Sequence, residues 1–245
     1  MKIVELSKLN ARKTCLHFTR AENIPSISQT GLQAVIGENA KGIEKTAKIF
    51  FAMGYANALK ICDTWIKWFI FTNERQKYFN SIKNLKRDQS AFGTYEEIAL
   101  QFRKDYIAGK LFTRENKQEA YERFYEMALT NNYLILDLKV GVDYSMDDVD
   151  EVKIGGMPAD LMKVMYATVT KKKGVPHCME PWNMHTLPGK NIDKNQISML
   201  AINGRTDMLA ILQEFYKIKP KNLNLPFLNE FMEFANIKQQ TTTKD

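Results

Sequence analysis

A polar, helix-patterned stretch at residues 73–131 divides the strand-forming parts of this chain into two. Asn73 to Ser90 is rich in Lys and Asn. Thr94 to Thr130 places Tyr95, Ile98, Phe102, Tyr121, Phe124 and Met127 at helical spacing among many charges. These 59 residues read as a helical insertion. Before it, Leu16–Thr19 and Lys48–Ala52 are short runs suited to strands. After it, Tyr133–Val140 is the clearest strand, and Val152–Ile154, Val164–Thr170 and Gln196–Ile202 extend the list.

Helices fill the remaining intervals. A short one runs from Thr19 or Glu22 through Ile24, Ile27 and Ser28, with Pro25 in its first turn and Gly31 just past its end. Met53–Phe71 carries Ala58, Leu59, Cys62, Trp65, Ile66 and Phe69 at the period of a well-buried helix. Asp207–Lys217 follows with Thr206 as its N-cap, and Phe227–Phe234 forms a last short helix after Pro226. The tail Gln239–Asp245 is polar and expected to fray. With no internal repeat in view, residues 1–245 read as a single domain.

Composition excludes several classes. At 245 residues, with 44% apolar and 26% charged residues, the chain has ample material for a core, and collagen-like, low-complexity and wholly disordered chains are ruled out. The net charge of +7 permits an acidic or nucleic-acid partner without naming one. Cys15, Cys62 and Cys178 are odd in number and widely spaced, so a disulfide framework is not expected and a reducing, cytoplasmic setting is the default. The N-terminal residues offer no apolar secretion segment. The longest apolar run, Trp65–Phe71, contains Lys67 and falls far short of a membrane span. A secreted effector with a C-terminal signal would pass the same tests.

The segment Leu16-His17-Phe18-Thr19-Arg20-Ala21-Glu22-Asn23-Ile24-Pro25-Ser26-Ile27 leads to Thr30-Gly31-Leu32, and further on stands Ile49-Phe50-Phe51-Ala52-Met53-Gly54-Tyr55. These two pieces resemble the first two motifs of the ADP-ribosyltransferase superfamily, of the His-Tyr-Glu type. The look is nearest to the prokaryotic DNA-modifying toxins and the NAD-dependent RNA 2′-phosphotransferases. The resemblance spans residues 14–65, about a fifth of the chain. It implies an α+β fold with a split antiparallel core (residues 14–72 and 132–202), a helical insertion and C-terminal helices. It also implies NAD as co-substrate and transfer of ADP-ribose to a protein or nucleic-acid acceptor.

By the same resemblance, His17 would hydrogen-bond a ribose hydroxyl, Thr19 would support the strand end, and Phe51 would line the pocket. Tyr55 would stack on the nicotinamide and count with the catalytic groups, since an aromatic face suits a cationic ring. Phe18 joins the cofactor-binding set, at a position where the eukaryotic polymerases have Gly and the prokaryotic relatives accept an aromatic. The third element is a Glu near the ribose, where it steadies an oxocarbenium-like transition state. Glu180 is the candidate, with Glu151 and Gln196 as rivals. Arg20 is the one basic residue placed near the motif, which makes phosphotransferase activity the less expected branch.

Other chemistry is weaker. His177, Cys178 and His185 lack a second Cys/His cluster, so no metal site is expected. Cys178 with an adjacent histidine does not make a hydrolase, because sequence neighbours rarely form a nucleophile–base pair. Lys83–Arg87, Lys171–Lys173 and Lys217–Lys221, with Trp65, Trp68 and Trp182, would suit a nucleic-acid groove if they converged. That gives the alternative of a non-catalytic binding module on the same fold. Trp65 and Trp68 are better explained as core.

Overall fold

A computed structural model describes residues 1–10, 13–36, 47–83, 104–105, 108–138, 150–154 and 182–242. The chain divides into two compact units, one of residues 1–63, 125–154 and 182–245, the other of residues 64–124 and 155–181.

The first unit is built on a mixed sheet of seven strands: β1 (Lys2–Glu5), β2 (Cys15–Arg20), β3 (Lys48–Met53), β4 (Asn131–Leu136), β5 (Asp150–Ile154), β6 (Trp182–Pro188) and β7 (Ile197–Ala201). Their order across the sheet is β1-β7-β4-β2-β3-β6-β5. The β1–β7 pair is parallel and the other ladders are antiparallel. Strands from both sides of residues 73–131 therefore meet in one sheet. Helices α1 (Ile24–Thr30), α2 (Tyr55–Lys83), α3 (Arg114–Thr130), α4 (Met208–Lys217) and α5 (Pro226–Thr242) complete the elements used below.

One ladder is incomplete. β2 pairs with β4 along all six of its residues, from Cys15↔Leu136 to Arg20↔Asn131. Its pairing with β3 covers only Cys15↔Met53 and Leu16↔Ala52. β3 instead pairs with β6, from Lys48↔Pro188 to Phe51↔His185. Past Leu16 and Ala52 the two strands follow different neighbours, and the sheet opens between them.

The alternation of strand side chains splits the core into two layers. Cys15, Ile49, Phe51, Leu134, Leu136, Leu187 and Ile197 pack with Ile27 of α1 and with Leu32 and Ile192. Leu16, Tyr133 and Leu200, also buried, point the other way. There Tyr133 packs on Phe215 of α4 and its hydroxyl lies 3.5 Å from Cys62 Sγ of α2. α5 joins this layer through Asp63, whose Oδ1 accepts the Leu228 N–H at 2.8 Å. A fully buried side chain of this size contributes about 1.5–3 kcal/mol, so both faces of the sheet are firmly held.

In the second unit, Phe69 and Phe124 pack with ring centroids 6.5 Å apart, and the Arg123 guanidinium lies over Phe69. Among the described residues, no helix is long and apolar enough to cross a membrane.

Several sequence expectations change in detail. α2 runs to Lys83 rather than Phe71, so the start of the polar stretch continues the preceding helix. β4 stops at Leu136: the Asp137 N–H still reaches the Gln196 carbonyl in register with β7, but the Leu138 N–H folds back to the Leu136 carbonyl. The N-cap of α4 is Asp207, whose carboxylate accepts from Ala210 N, while Thr206 accepts from the Asn132 amide. α5 continues to Thr242, so Gln239–Thr242 are helical; residues 243–245 lie outside the described residues. β1 and β6 were not anticipated. The strand expected at Val164–Thr170 lies outside the described residues.

Candidate functional site

His17 stands one residue past the last rung between β2 and β3, where the ladder would otherwise continue. Its ring reaches across, with Nδ1 2.7 Å from the Phe50 carbonyl oxygen. A carbonyl only accepts, so Nδ1 carries the proton and donates. Burial lowers the His17 pKa below its ordinary value, and the Phe50 carbonyl opposes part of that shift. The ring is therefore neutral at neutral pH and Nε2 is a bare acceptor. Among the described residues no hydrogen bond reaches Nε2.

Phe51, on the facing strand, is 1% exposed and stacks on His185 of β6, with centroids 5.6 Å apart and 23° between planes. His185 is half-buried, and its ring makes no hydrogen bond among the described residues. Glu151 on β5 occupies the register position opposite His185. His17, Phe51, His185 and Glu151 thus follow one row across four neighbouring strands, interrupted at the opening between β2 and β3.

The other motif residues serve the fold visibly. Thr19 Oγ1 accepts from the Asn23 amide at 3.1 Å, which ties the strand end to the turn before α1. Phe18 points to the opposite side from His17, edge-on to Tyr133 at 6.1 Å and 77°. Tyr55 opens α2 with its ring 5.8 Å from Phe215, and its hydroxyl donates to the Ile218 carbonyl at 2.9 Å. No hydrogen bond or ring contact among the described residues joins Tyr55 to His17. Phe51 and His17 are thus brought together, whereas Phe18 and Tyr55 belong to the other face of the sheet, on the side of α4.

Of the carboxylate candidates, Glu180 lies outside the described residues. The rival Gln196 is engaged near β7, where its carbonyl accepts from Asp137 N and its side chain donates to the Asp137 carbonyl. Glu151 alone of the three has a register position in the His17 row.

In the sequence, His185 enters only with His177 and Cys178, in a group not expected to bind a metal. The signal for it lies in Met184-His185-Thr186-Leu187 before the Pro188-Gly189 turn: a strand there puts His185 on the same face as the buried Leu187.

A metal ion does not suit the row. His17 and His185 lie two strand spacings apart, about 10 Å between backbones, with the strand of Phe51 between them. Ligands sharing one ion must each come within about 2.1 Å of it. Among the described residues, no group of three His, Cys, Asp or Glu is placed to hold a metal.

A separate shallow groove is lined by Ile24, Pro25, Leu129, Asn132, Arg205 and Asp207. Polar groups there already bond one another: Asn132 to Thr206, and Arg205 to Asp207. Compared with known protein families, with characterised proteins and with solved structures, the chain matches none.

Proposed function

We propose that this chain is an NAD-dependent mono-ADP-ribosyltransferase that cleaves the nicotinamide–ribose bond and passes ADP-ribose to a macromolecular acceptor. The observation that supports this most is His17: a neutral imidazole at the opening of the sheet, with Nδ1 fixed by Phe50 and Nε2 free to accept a ribose hydroxyl. NAD fits the chemistry of this place, which offers a hydrogen-bond acceptor at His17 Nε2 without requiring a metal.

In this reading His17 orients the ribose, Phe51 and the opening beside it shape the cleft, and Tyr55 supplies a ring to the nicotinamide. A carboxylate steadies the positive charge that develops at the ribose as nicotinamide departs. Glu180 remains the candidate from the motif order, and Glu151 is favoured by its place in the row. Three strand spacings put the Glu151 and His17 backbones about 14 Å apart or more. These two residues would act on different parts of one extended ligand rather than on each other.

The test is incubation with NAD labelled in the adenylate, with protein, DNA and RNA acceptors offered separately. Label should move to one acceptor class, and His17→Ala should abolish transfer. Glu151→Gln and Glu180→Gln then show which carboxylate acts. Absence of NAD binding by calorimetry, or transfer undiminished in His17→Ala, would overturn the reading. Salt-dependent nucleic-acid binding with no NAD consumption would establish the binding-module alternative instead.

A further inference from the structure

We propose that His185 is a second ligand-contacting residue of the His17 site, offering a ring nitrogen to a phosphate of the bound dinucleotide. The inference rests on the NAD reading above and names a part of the ligand that the motif residues leave unattended.

Three observations carry it. His185 is half-buried, and neither ring nitrogen is taken by a hydrogen bond among the described residues. One face of its ring lies against Phe51, so the ring is held in orientation and its nitrogen-bearing edge is what it can present. Its register position is in line with His17, two strand spacings away, about 10 Å or more between backbones. A ribose held at His17 and the diphosphate attached to it span such a gap, whereas a ribose alone does not.

The chemistry at that distance favours an anion. An imidazole N–H donates well to a phosphate oxygen, and such charge-assisted bonds are stronger than neutral ones. Phe51 separates the two histidines, which leaves two separate contacts to one ligand rather than a shared ion.

The experiment measures binding of NAD, ADP-ribose and nicotinamide riboside to the wild type, His17→Ala, His185→Phe and His185→Gln by calorimetry. His185→Phe keeps a ring against Phe51 and removes both nitrogens. It should weaken NAD and ADP-ribose about tenfold or more and leave nicotinamide riboside unchanged. His185→Gln, which retains a donor, should recover most of the loss. If His185→Phe binds NAD as the wild type does while His17→Ala fails, the proposal falls and the NAD reading stands. Equal weakening of all three ligands would also overturn it, by showing a purely structural stack. A wild type that binds neither NAD nor ADP-ribose would overturn both.

Discussion

Replacing Gly31 with alanine isolates what the Gly-Leu end of the N-terminal motif does. Gly31 terminates α1 at φ 78° and ψ −173°, a region that side-chain-bearing residues rarely enter. Immediately after it, Leu32 exchanges two hydrogen bonds with Ile192, each 2.9 Å. A Cβ on residue 31 would stand 2.2 Å from the Ile192 carbonyl oxygen and 2.9 Å from Lys194 N. Both are backbone atoms, so neither can swing aside, and relief requires opening the Leu32–Ile192 bridge.

The backbone strain costs about 1–3 kcal/mol. Each lost hydrogen bond adds about 0.5–1.5 kcal/mol. Leu32 and Ile192, 8% and 0% exposed, also lose part of their burial. A total of about 4 kcal/mol is expected, a large share of the roughly 5–15 kcal/mol that holds a domain together. Gly189→Ala is the control: φ is 62°, but nothing lies within 4 Å of the added Cβ, so only strain of about 1–2 kcal/mol applies. In urea titrations followed by circular dichroism, with a slope of about 2 kcal/mol per M, Gly31→Ala should lower the midpoint by about 2 M and Gly189→Ala by less than about 1 M. Equal shifts for the two variants, or a Gly31→Ala midpoint matching the wild type, would refute the steric argument.

Three further outcomes are expected. The His17 pKa is held below its unfolded value of about 6.5, so stability is intact above that pH and is lost as pH falls through it toward the folded pKa. Urea midpoints at pH 7.5 and 5.5 should therefore diverge more for the wild type than for His17→Gln. Burial pushes the thiols of Cys15 and Cys62 up to about 11 and about 12, so alkylation at pH 8, read by mass spectrometry, should reach neither until the protein is unfolded. Asp207→Ala removes the cap on Ala210 N and should cost about 1 kcal/mol in the same urea assay. Arg205→Ala breaks only an ion pair whose arginine is half-exposed and should cost much less.

Elements with a strong local signal were legible in the sequence. Gly31 past Ile27 and the apolar Lys48–Ala52 run define α1 and β3 without help from distant residues, and the structure agrees closely. β1 was not legible because Lys2–Glu5 is a largely exposed edge strand, specified by its pairing with β7 rather than by its own alternation. β6 was hidden because Trp182–Pro188 contains Asn183, His185 and Thr186, and its strand character comes from lying between β3 and β5. The same cause hid His185. Its relation to Phe51 is a cross-strand register, which a single sequence does not display. Thr206 and Asp207 are both good capping residues, and only the tertiary bond from Asn132 to Thr206 decides between them.

The motif residues fall on two sides of the sheet, and that separation bears on how they serve one ligand. Phe18, Tyr133, Phe215 and Tyr55 form a connected series of ring contacts beneath the helices, with the Tyr55 hydroxyl fixed on Ile218. His17, Phe51 and His185 belong to the other side. In a continuous sheet, groups on opposite faces do not reach the same molecule, because the backbone ladder lies between them. Here the β2–β3 ladder ends at Leu16↔Ala52, directly beside His17, while Cys15↔Met53 and the bond from the Gly54 N–H to the Thr14 carbonyl stand between that opening and Tyr55. The opening therefore gives a ligand access to His17, whereas Tyr55 stands beyond the closed end of the ladder on the other face. Under the proposed function, Tyr55 would have to leave Phe215 and Ile218 to reach a ligand held at His17. Such a movement would break the hydrogen bond from the Tyr55 hydroxyl to the Ile218 carbonyl, at a cost of about 0.5–1.5 kcal/mol, so this anchoring opposes binding rather than preparing for it.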